Sequence, residues 1–305
     1  VALSSGGTNG HYNVAVGSPG APNIDVSMNP GALVDRPSCV TTGAGPAGIF
    51  QCGELLLSHS MPTFRSLGRE RRLTLLYNSA TAWPSPVVMA DVWLPGTMAK
   101  PDSVRVVLTV NGTQSWTHWF RADSLEPGGE RWRVAVAADL SGYATGVYPY
   151  RLAVANFYGS SAYEASQTGE LIVVNRRGSR YGAGWSVGGE EQLYPGQRNG
   201  AVLLVDADGS AAVYEPIGTN VWLAPAGAYR DTLRYGSVSD GAVPAGTYYW
   251  RRLLDGTVIY YNGAGRQKWV VDRLGQKVEY GYTGAEGAGE ALGYIRVAPY
   301  EENLR

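Results

Sequence analysis

The stretch GRQKWVVDRLGQKVEYGYT, residues 265–283, decides how the rest of the chain is read. It opens on Gly265 and runs into an apolar strand ending Trp269-Val270-Val271. It turns through Asp272-Arg273-Leu274-Gly275 and leaves as a second strand that closes on Tyr280 and Tyr282. Asp accepts backbone N–H bonds in a turn and Gly takes the positive φ, so the segment reads as a β-hairpin. A tyrosine at a strand end buries its ring and keeps its hydroxyl wet. Two further stretches share the pattern: AVLLVDADGSAAVYEP, residues 201–216, and TYYWRRLLDGTVIYYN, residues 247–262, with Asp255-Gly256 at its turn. Gly209, Gly256 and Gly275 lie 47 and 19 residues apart, which makes a weak internal repeat of hairpins. No convincing helix is expected. DTLRYGSVSD (231–240) and AEGAGEALGY (285–294) are the best candidates, and both carry glycine inside a short window.

Working outward, residues 57–175 hold seven apolar or alternating runs, among them RLTLLYN, PVVMADVWL, SVRVVLTV and VYPYRLAVANFY. Pro, Gly and Asn-Gly signals separate them. Runs of this length and spacing predict a β-sandwich of immunoglobulin or fibronectin type. Asn111-Gly112 supplies the positive φ angles of a type I′ hairpin turn, and with Thr113 it also fits an N-glycan acceptor. In RWRVAVAAD the alternation puts Trp132, Val134 and Val136 on one face. Residues 1–56 are dense in Gly and Pro and read as an extended arm or cap. The expected class is therefore all-β: an arm (1–56), a sandwich (57–175) and a β-hairpin sheet (176–305). Starting at Val1 and ending in Glu-Glu-Asn-Leu-Arg, the sequence reads as a piece of something longer.

The composition bounds the partners. Charged residues make up 17% of 305, and 25 basic against 26 acidic side chains leave a net charge of −1. That balance gives no electrostatic case for nucleic acid or an anionic membrane. No run approaches the 18 or so apolar residues of a membrane-spanning helix. The 41 Gly, 20 Tyr and 9 Trp against 4 Phe fit the turns and half-wet surfaces of extracellular β proteins. Cys39 and Cys52 flank a Gly/Pro-rich loop and lack the ligand count for zinc. A disulfide between them, worth about 3 kcal/mol, is the favoured reading, with free thiols as the alternative.

The motifs resemble the YD repeat of the Rhs and teneurin family, whose unit runs from Gly through Asp-Arg-x-Gly-Asn to Tyr-x-Tyr. Asp272, Arg273, Gly275, Tyr280 and Tyr282 stand in place, and Gln276 replaces the usual Asn. GRERRLTLLYNS (68–79) is similar to the strand that opens such regions, and YGAGWSV (181–187) to the element that follows it. The resemblance covers a little over half of the chain. It implies an antiparallel sheet that spirals into a shell, with a fibronectin-type domain beside it. With about three units the chain is expected to be too short to close a shell. The implied role is a non-enzymatic scaffold, extracellular or on the cell surface, acting through assembly, adhesion or encapsulation. Its partners would be further copies, the continuation of its own chain or another surface protein. Arg273 is expected to reach a neighbouring turn or a Tyr face.

Other chemistry was weighed residue by residue. Gly184-Trp185-Ser186-Val187-Gly188 matches a hydrolase elbow but is followed by turn residues rather than a helix. Asp206-Ala207-Asp208-Gly209-Ser210 opens like a calcium loop, yet Ile217 stands at its twelfth position instead of Glu. Glu190-Glu191 and Glu301-Glu302 are adjacent carboxylates that alternation sends to opposite faces, which weakens the glycoside hydrolase alternative. His118, one of three histidines, reads as a strand residue. Trp116 and Trp119 are the candidate ligand aromatics of a second alternative, a glycan- or receptor-binding module. No catalytic residue, metal ligand or cofactor is assigned.

Overall fold

A computed structural model describes residues 49–51, 54–66, 69–92, 94, 99–123, 125–128, 132–225, 231–239, 241, 243–283 and 291–298. Both cysteines of the expected disulfide lie outside these residues, as do His11, Glu301 and Glu302. The described chain is almost wholly β, as its alternation and turn chemistry require. It divides into two units. Among the described residues, 84–143 and 147–173 form one, and 49–83, 144–146 and 174–298 the other. The sandwich is thus an insertion. Its boundary falls at 84 rather than 57, because RLTLLYN pairs with strands of the second unit.

That unit begins with β1 (Ile49–Gln51), β2 (Glu54–Ser60), the short pair β3 (Phe64–Ser66) and β4 (Arg69–Arg71), and β5 (Thr74–Asn78). A single helical turn, α1 (Ser79–Ala82), follows, its amino end closed by Asn78 Oδ1, which accepts from Ala80 N–H at 2.8 Å.

The inserted unit contains β6 (Val87–Val92), β7 (Ser103–Val110), β8 (Gln114–Arg121), β9 (Trp132–Ala137), β10 (Gly146–Tyr158) and β11 (Ser161–Val173). Its sheets are β11-β10-β7-β8 and β6-β9, and one apolar core joins them. That core holds Val104, Val106, Leu108 and Val110 of β7, Leu152 and Val154 of β10, Val88 and Ala90 of β6, and Val134 and Val136 of β9. Taken in chain order, the strands follow the B, C, C′, E, F, G connectivity of immunoglobulin-type sandwiches. The strict alternation of buried and half-buried residues along β7 is what a two-layer core demands. Asn111 and Gly112 adopt φ of +53° and +67°, as expected for a type I′ turn. Val110 stands opposite Gln114, so Thr113 joins the loop as a third residue.

The chain returns through β12 (Trp185–Val187) to β13 (Gln192–Tyr194), β14 (Val202–Val205), β15 (Ala211–Gly218), β16 (Val221–Leu223), β17 (Thr232–Val238), β18 (Gly246–Arg252), β19 (Val258–Tyr261), β20 (Gln267–Val271), β21 (Lys277–Thr283) and β22 (Ala291–Ala298). From β13 to β22 these ten strands form one antiparallel sheet in strict chain order. As expected, neither segment with helical texture forms a helix where it is described: 232–238 is β17, and 291–294 opens β22. The Tyr and β-branched residues of DTLRYGSVSD pair with β18, and that pairing overrides weak local propensity.

Candidate functional site

Four hairpin turns of the ten-stranded sheet share one backbone design. At Asp206, Leu253, Asn262 and Asp272 the residue's C=O accepts from the glycine three positions on, at 2.9–3.0 Å. Its own N–H donates to the C=O four positions on, at 2.7–2.9 Å. The glycines, 209, 256, 265 and 275, all have φ between +80° and +89°. This is a three-residue loop closed by a left-handed glycine. A carboxylate or amide then caps it in one of two ways. Asp272 and Asn262 stand first in their turns, and their Oδ1 atoms accept from Gln276 N–H and Arg266 N–H, each at 2.8 Å. Asp208 and Asp255 stand third, and accept from Ser210 N–H at 2.7 Å and Thr257 N–H at 2.9 Å. The Thr257 bonds hold the Asp255 carboxyl below its ordinary value, with Arg273 adding to the effect. Arg273 lies beside the neighbouring turn: a Cβ on Gly256 would sit 3.3 Å from its own.

The sheet does not stay open at its first strand. Beyond β14, β13 meets the turn between β19 and β20. Leu193 N–H donates to Gly265 C=O at 2.8 Å, and Gln192 forms a bridge with Arg266. The Arg266 guanidinium adds a bond to Gln192 Oε1 at 2.7 Å. After eight strands the sheet has therefore curled back on itself, the strand number at which side chains just fill a barrel interior. The interior is filled: Leu193, Val202, Leu204, Tyr214, Leu233, Ile259 and Tyr261 form one buried cluster.

Into this interior projects an ionic cluster. Arg251 on β18 is 2% exposed. It donates to Glu191 at 2.5 Å, to Asp231 at 2.9 Å, to the Tyr261 hydroxyl at 3.1 Å and to the Tyr214 hydroxyl at 3.4 Å. The tyrosines pass the bonding on: Tyr261 OH donates to Glu191 at 2.5 Å and Tyr214 OH to Asp231 at 2.8 Å. Burial pulls the guanidinium's pKa down, but Tyr261, Glu191, Tyr214 and Asp231 outweigh it and hold it above its ordinary value. Burial also drives both hydroxyls up, so they remain donors.

The segment just before β13 gathers the closing tyrosines of the repeat. Tyr280 OH donates to Gly189 C=O at 3.1 Å, and Tyr282 OH to Glu190 at 3.0 Å. Burial first, then the charges of Glu190 and Glu191, pushes Tyr280 up to about 12. Burial raises the Glu190 carboxyl, while Tyr282, Arg266 and Arg176 pull it down. Gln267 adds two bonds, accepting from Glu191 N–H at 2.6 Å and donating to Gly189 C=O at 3.1 Å.

The two landmark segments at 68–79 and 181–187 meet. Trp185, Ser186 and Val187 of β12 stand opposite Tyr77, Leu76 and Leu75 of β5, and the Tyr77 and Trp185 rings lie 5.3 Å apart. Together they grip the turn at Asp206. Asn78 Nδ2 donates to Asp208 C=O at 2.9 Å, and Arg176 donates to the carbonyls of Asp206 and Ala207 at 2.5 Å. Ser186 Oγ also donates to Ala207 C=O. Residues 206–210 form the hairpin turn between β14 and β15, with the Asp206 and Asp208 carboxylates accepting from Ala207 N–H at 2.6 Å and Ser210 N–H at 2.7 Å. Ser186 is a buried donor, and a loop rather than a helix leads from β12 to β13.

In the sandwich, Trp116 and Trp119 point to opposite faces of β8. Trp116 packs against the core, while Trp119 is 57% exposed. His118 lies on the exposed part of β8, its ring 6.4 Å from Phe120. A surface hollow of about 270 Å³ on the second unit is lined by Ser237, Val238, Ser239, Trp250 and Tyr260, with no carboxylate among them. Among the described residues no cluster of three or more His, Cys, Asp or Glu is placed to hold a metal. No helix there is long and apolar enough to cross a membrane.

Sequence reasoning did not single out Arg251 or Asp231. The signal for Arg251 lay in TYYWRRLL, where alternation puts it on the same face as Tyr249, an inward position. Asp231 sits just outside β17, beyond the reach of periodicity. Comparison of the sequence with models of known protein families and with curated proteins gives no match.

Proposed function

We propose that the chain is a non-enzymatic β scaffold of the Rhs/YD-repeat class, extracellular or on a cell surface, which works by adding strands at β22. One observation carries this reading. The sheet is closed at its first strand, where β13 meets Gly265 and Arg266, whereas its last strand has a neighbouring strand on one side only among the described residues. Among the described residues β22 hydrogen-bonds to β21 and no strand adjoins its other edge. An edge strand with unpaired N–H and C=O groups is a template for another strand. The repeated turn design supports the same role, since each hairpin presents its successor with an equivalent edge. Side chains fill the interior of β13–β20, so growth rather than enclosure within these eight strands is the mode. The extracellular setting rests on the resemblance and on the Gly-, Tyr- and Trp-rich composition.

The test uses adjacent proline substitutions, Ile295→Pro and Arg296→Pro. Along an edge strand successive N–H groups point alternately toward and away from the neighbour, so one variant removes an outward donor and the other an inward one. The reading expects self-association of the full chain in sedimentation, abolished in the variant that keeps the wild-type melting temperature. A strict monomer at all concentrations, with every β22 amide already protected from exchange, overturns it.

A further inference from the structure

The outer face of the β11-β10-β7-β8 sheet, which the scaffold role does not use, carries its own pattern. Its inward residues fill the core, so Arg105 of β7, Trp119 and Arg121 of β8 and Phe157 of β10 share the outward side. Trp119 is the one tryptophan of the sheet turned to this face, and its ring lies 5.0 Å from that of Phe157. The two rings are tilted by 44°, and the Arg105 guanidinium lies over both, 5.8 Å from the Trp119 ring and 5.4 Å from Phe157. The result is an aromatic pair with a cation stacked on it, from which Trp119 stands 57% exposed. In the next row Ser103 stands opposite Arg121 on one side and Phe157 on the other, so Arg121 borders the same pair. The rows beyond are low and hydroxylated: Thr117 and Ala153 flank Val107, and Thr109 and Ser115 share a hydrogen bond at 2.8 Å.

The charge on this face is sparse. Arg105 and Arg151 share one carboxylate, Glu164, at 3.1 Å each. Alternation along β11, whose Ala165, Leu171 and Val173 enter the core, puts Glu170 on the same outward face. Three arginines against two carboxylates leave a small cationic excess, with no array of cations to match a polyphosphate. A ligand that fits is apolar on one side, hydroxylated at its rim and charged at wide intervals.

We propose that this face binds an acidic glycan whose hexuronate units recur among neutral sugars. The apolar side of one ring lies on Trp119, Arg121 pairs with the carboxylate, and the Ser/Thr rows meet the hydroxyls. On an open sheet face affinity comes from repetition along the glycan.

The experiment is titration calorimetry and tryptophan fluorescence on the full chain. The probes are a hyaluronan oligosaccharide, which carries one carboxylate per disaccharide, a neutral chitin oligosaccharide, and oligo-dT. Binding to the hyaluronan fragment is expected to exceed that to either other probe. Trp119→Ala and Arg121→Gln should each lower it about tenfold or more, the scale of one aromatic or charge-assisted contact. Both residues are exposed, so melting temperatures should be unchanged, and Trp83→Ala should leave binding unaltered. The proposal is overturned by no detectable binding of the hyaluronan fragment, by equal binding of the neutral or oligo-dT probe, or by undiminished binding in Trp119→Ala. None of these outcomes depends on whether β22 self-associates.

Discussion

Replacing Arg251 by methionine removes the hub of the buried ionic cluster and leaves two carboxylates facing an apolar interior. Arg251 is 2% exposed, and its partners Glu191 and Asp231 have side chains 13% and 3% exposed, so water cannot take its place. Breaking a buried pair by removing one partner costs about 3–5 kcal/mol, because the remaining charge is uncompensated. Here two carboxylates lose their partner, and the Tyr214 and Tyr261 hydroxyls keep theirs. The upper half of that range is expected, a large fraction of the roughly 5–15 kcal/mol that holds a domain together. With a urea slope of about 2–3 kcal/mol/M the midpoint should fall by about 1.3–2.5 M. Two units make a single transition unsafe, so the readout is hydrogen exchange of β17–β19 amides alongside urea unfolding followed by fluorescence. Arg251→Met combined with Glu191→Gln and Asp231→Asn removes the stranded charges and should lose less than Arg251→Met alone. A loss below about 1 kcal/mol for Arg251→Met, or a triple variant no better than the single, would refute the argument that this cluster fixes the sheet.

Gly265→Ala and Gly275→Ala provide a matched pair, with φ of +81° and +80°. An added Cβ at 265 would lie within bonding distance of Leu193 C=O, whereas at 275 it meets nothing within 4 Å. Thermal unfolding should show a cost of about 1–2 kcal/mol at 275 from the left-handed backbone alone, and a clearly larger cost at 265 together with faster exchange of the Leu193 amide. Asp272→Ala should cost about 1 kcal/mol by freeing the N–H groups of Leu274 and Gln276, with Asp272→Asn recovering most of it in urea melts. Glu190 is raised in the folded state, so its contribution is greatest when protonated and declines as pH climbs above its unfolded value near 4.5. Glu190→Gln should therefore flatten the stability–pH profile above about pH 4.5 and match or exceed the wild type at pH 8; a steeper profile in the variant would contradict the assignment.

Much of this architecture was legible in the sequence because it is local. Alternation in SVRVVLTV fixes which side of β7 is core, and Asp or Asn with Gly at fixed offsets marks each turn of the long sheet. The pairing of Tyr77 with Trp185 is different. It joins residues separated by an inserted domain, and no local pattern in either segment announces it. The curl is less legible still, since nothing in Gln192 or Arg266 taken alone announces that a first strand will meet the seventh turn after it. Tertiary pairing also decided DTLRYGSVSD, whose weak helical texture yields to strands on both sides. The ionic cluster draws on Glu191, Asp231 and Arg251 from three separate elements, and charges assembled across a fold leave no periodic trace. Trp116 and Trp119 show the reverse: their spacing of three along a strand already sends them to opposite faces.

The most direct test of the scaffold reading is amide-resolved hydrogen exchange on the full chain at low and high protein concentration. The account predicts that Leu193, bonded to Gly265, is protected at both. It predicts that alternate amides of Ala291–Ala298 exchange freely when dilute and become protected as the chain associates. A Leu193 amide exchanging like an open edge, or a β22 whose pattern never changes with concentration, would contradict it.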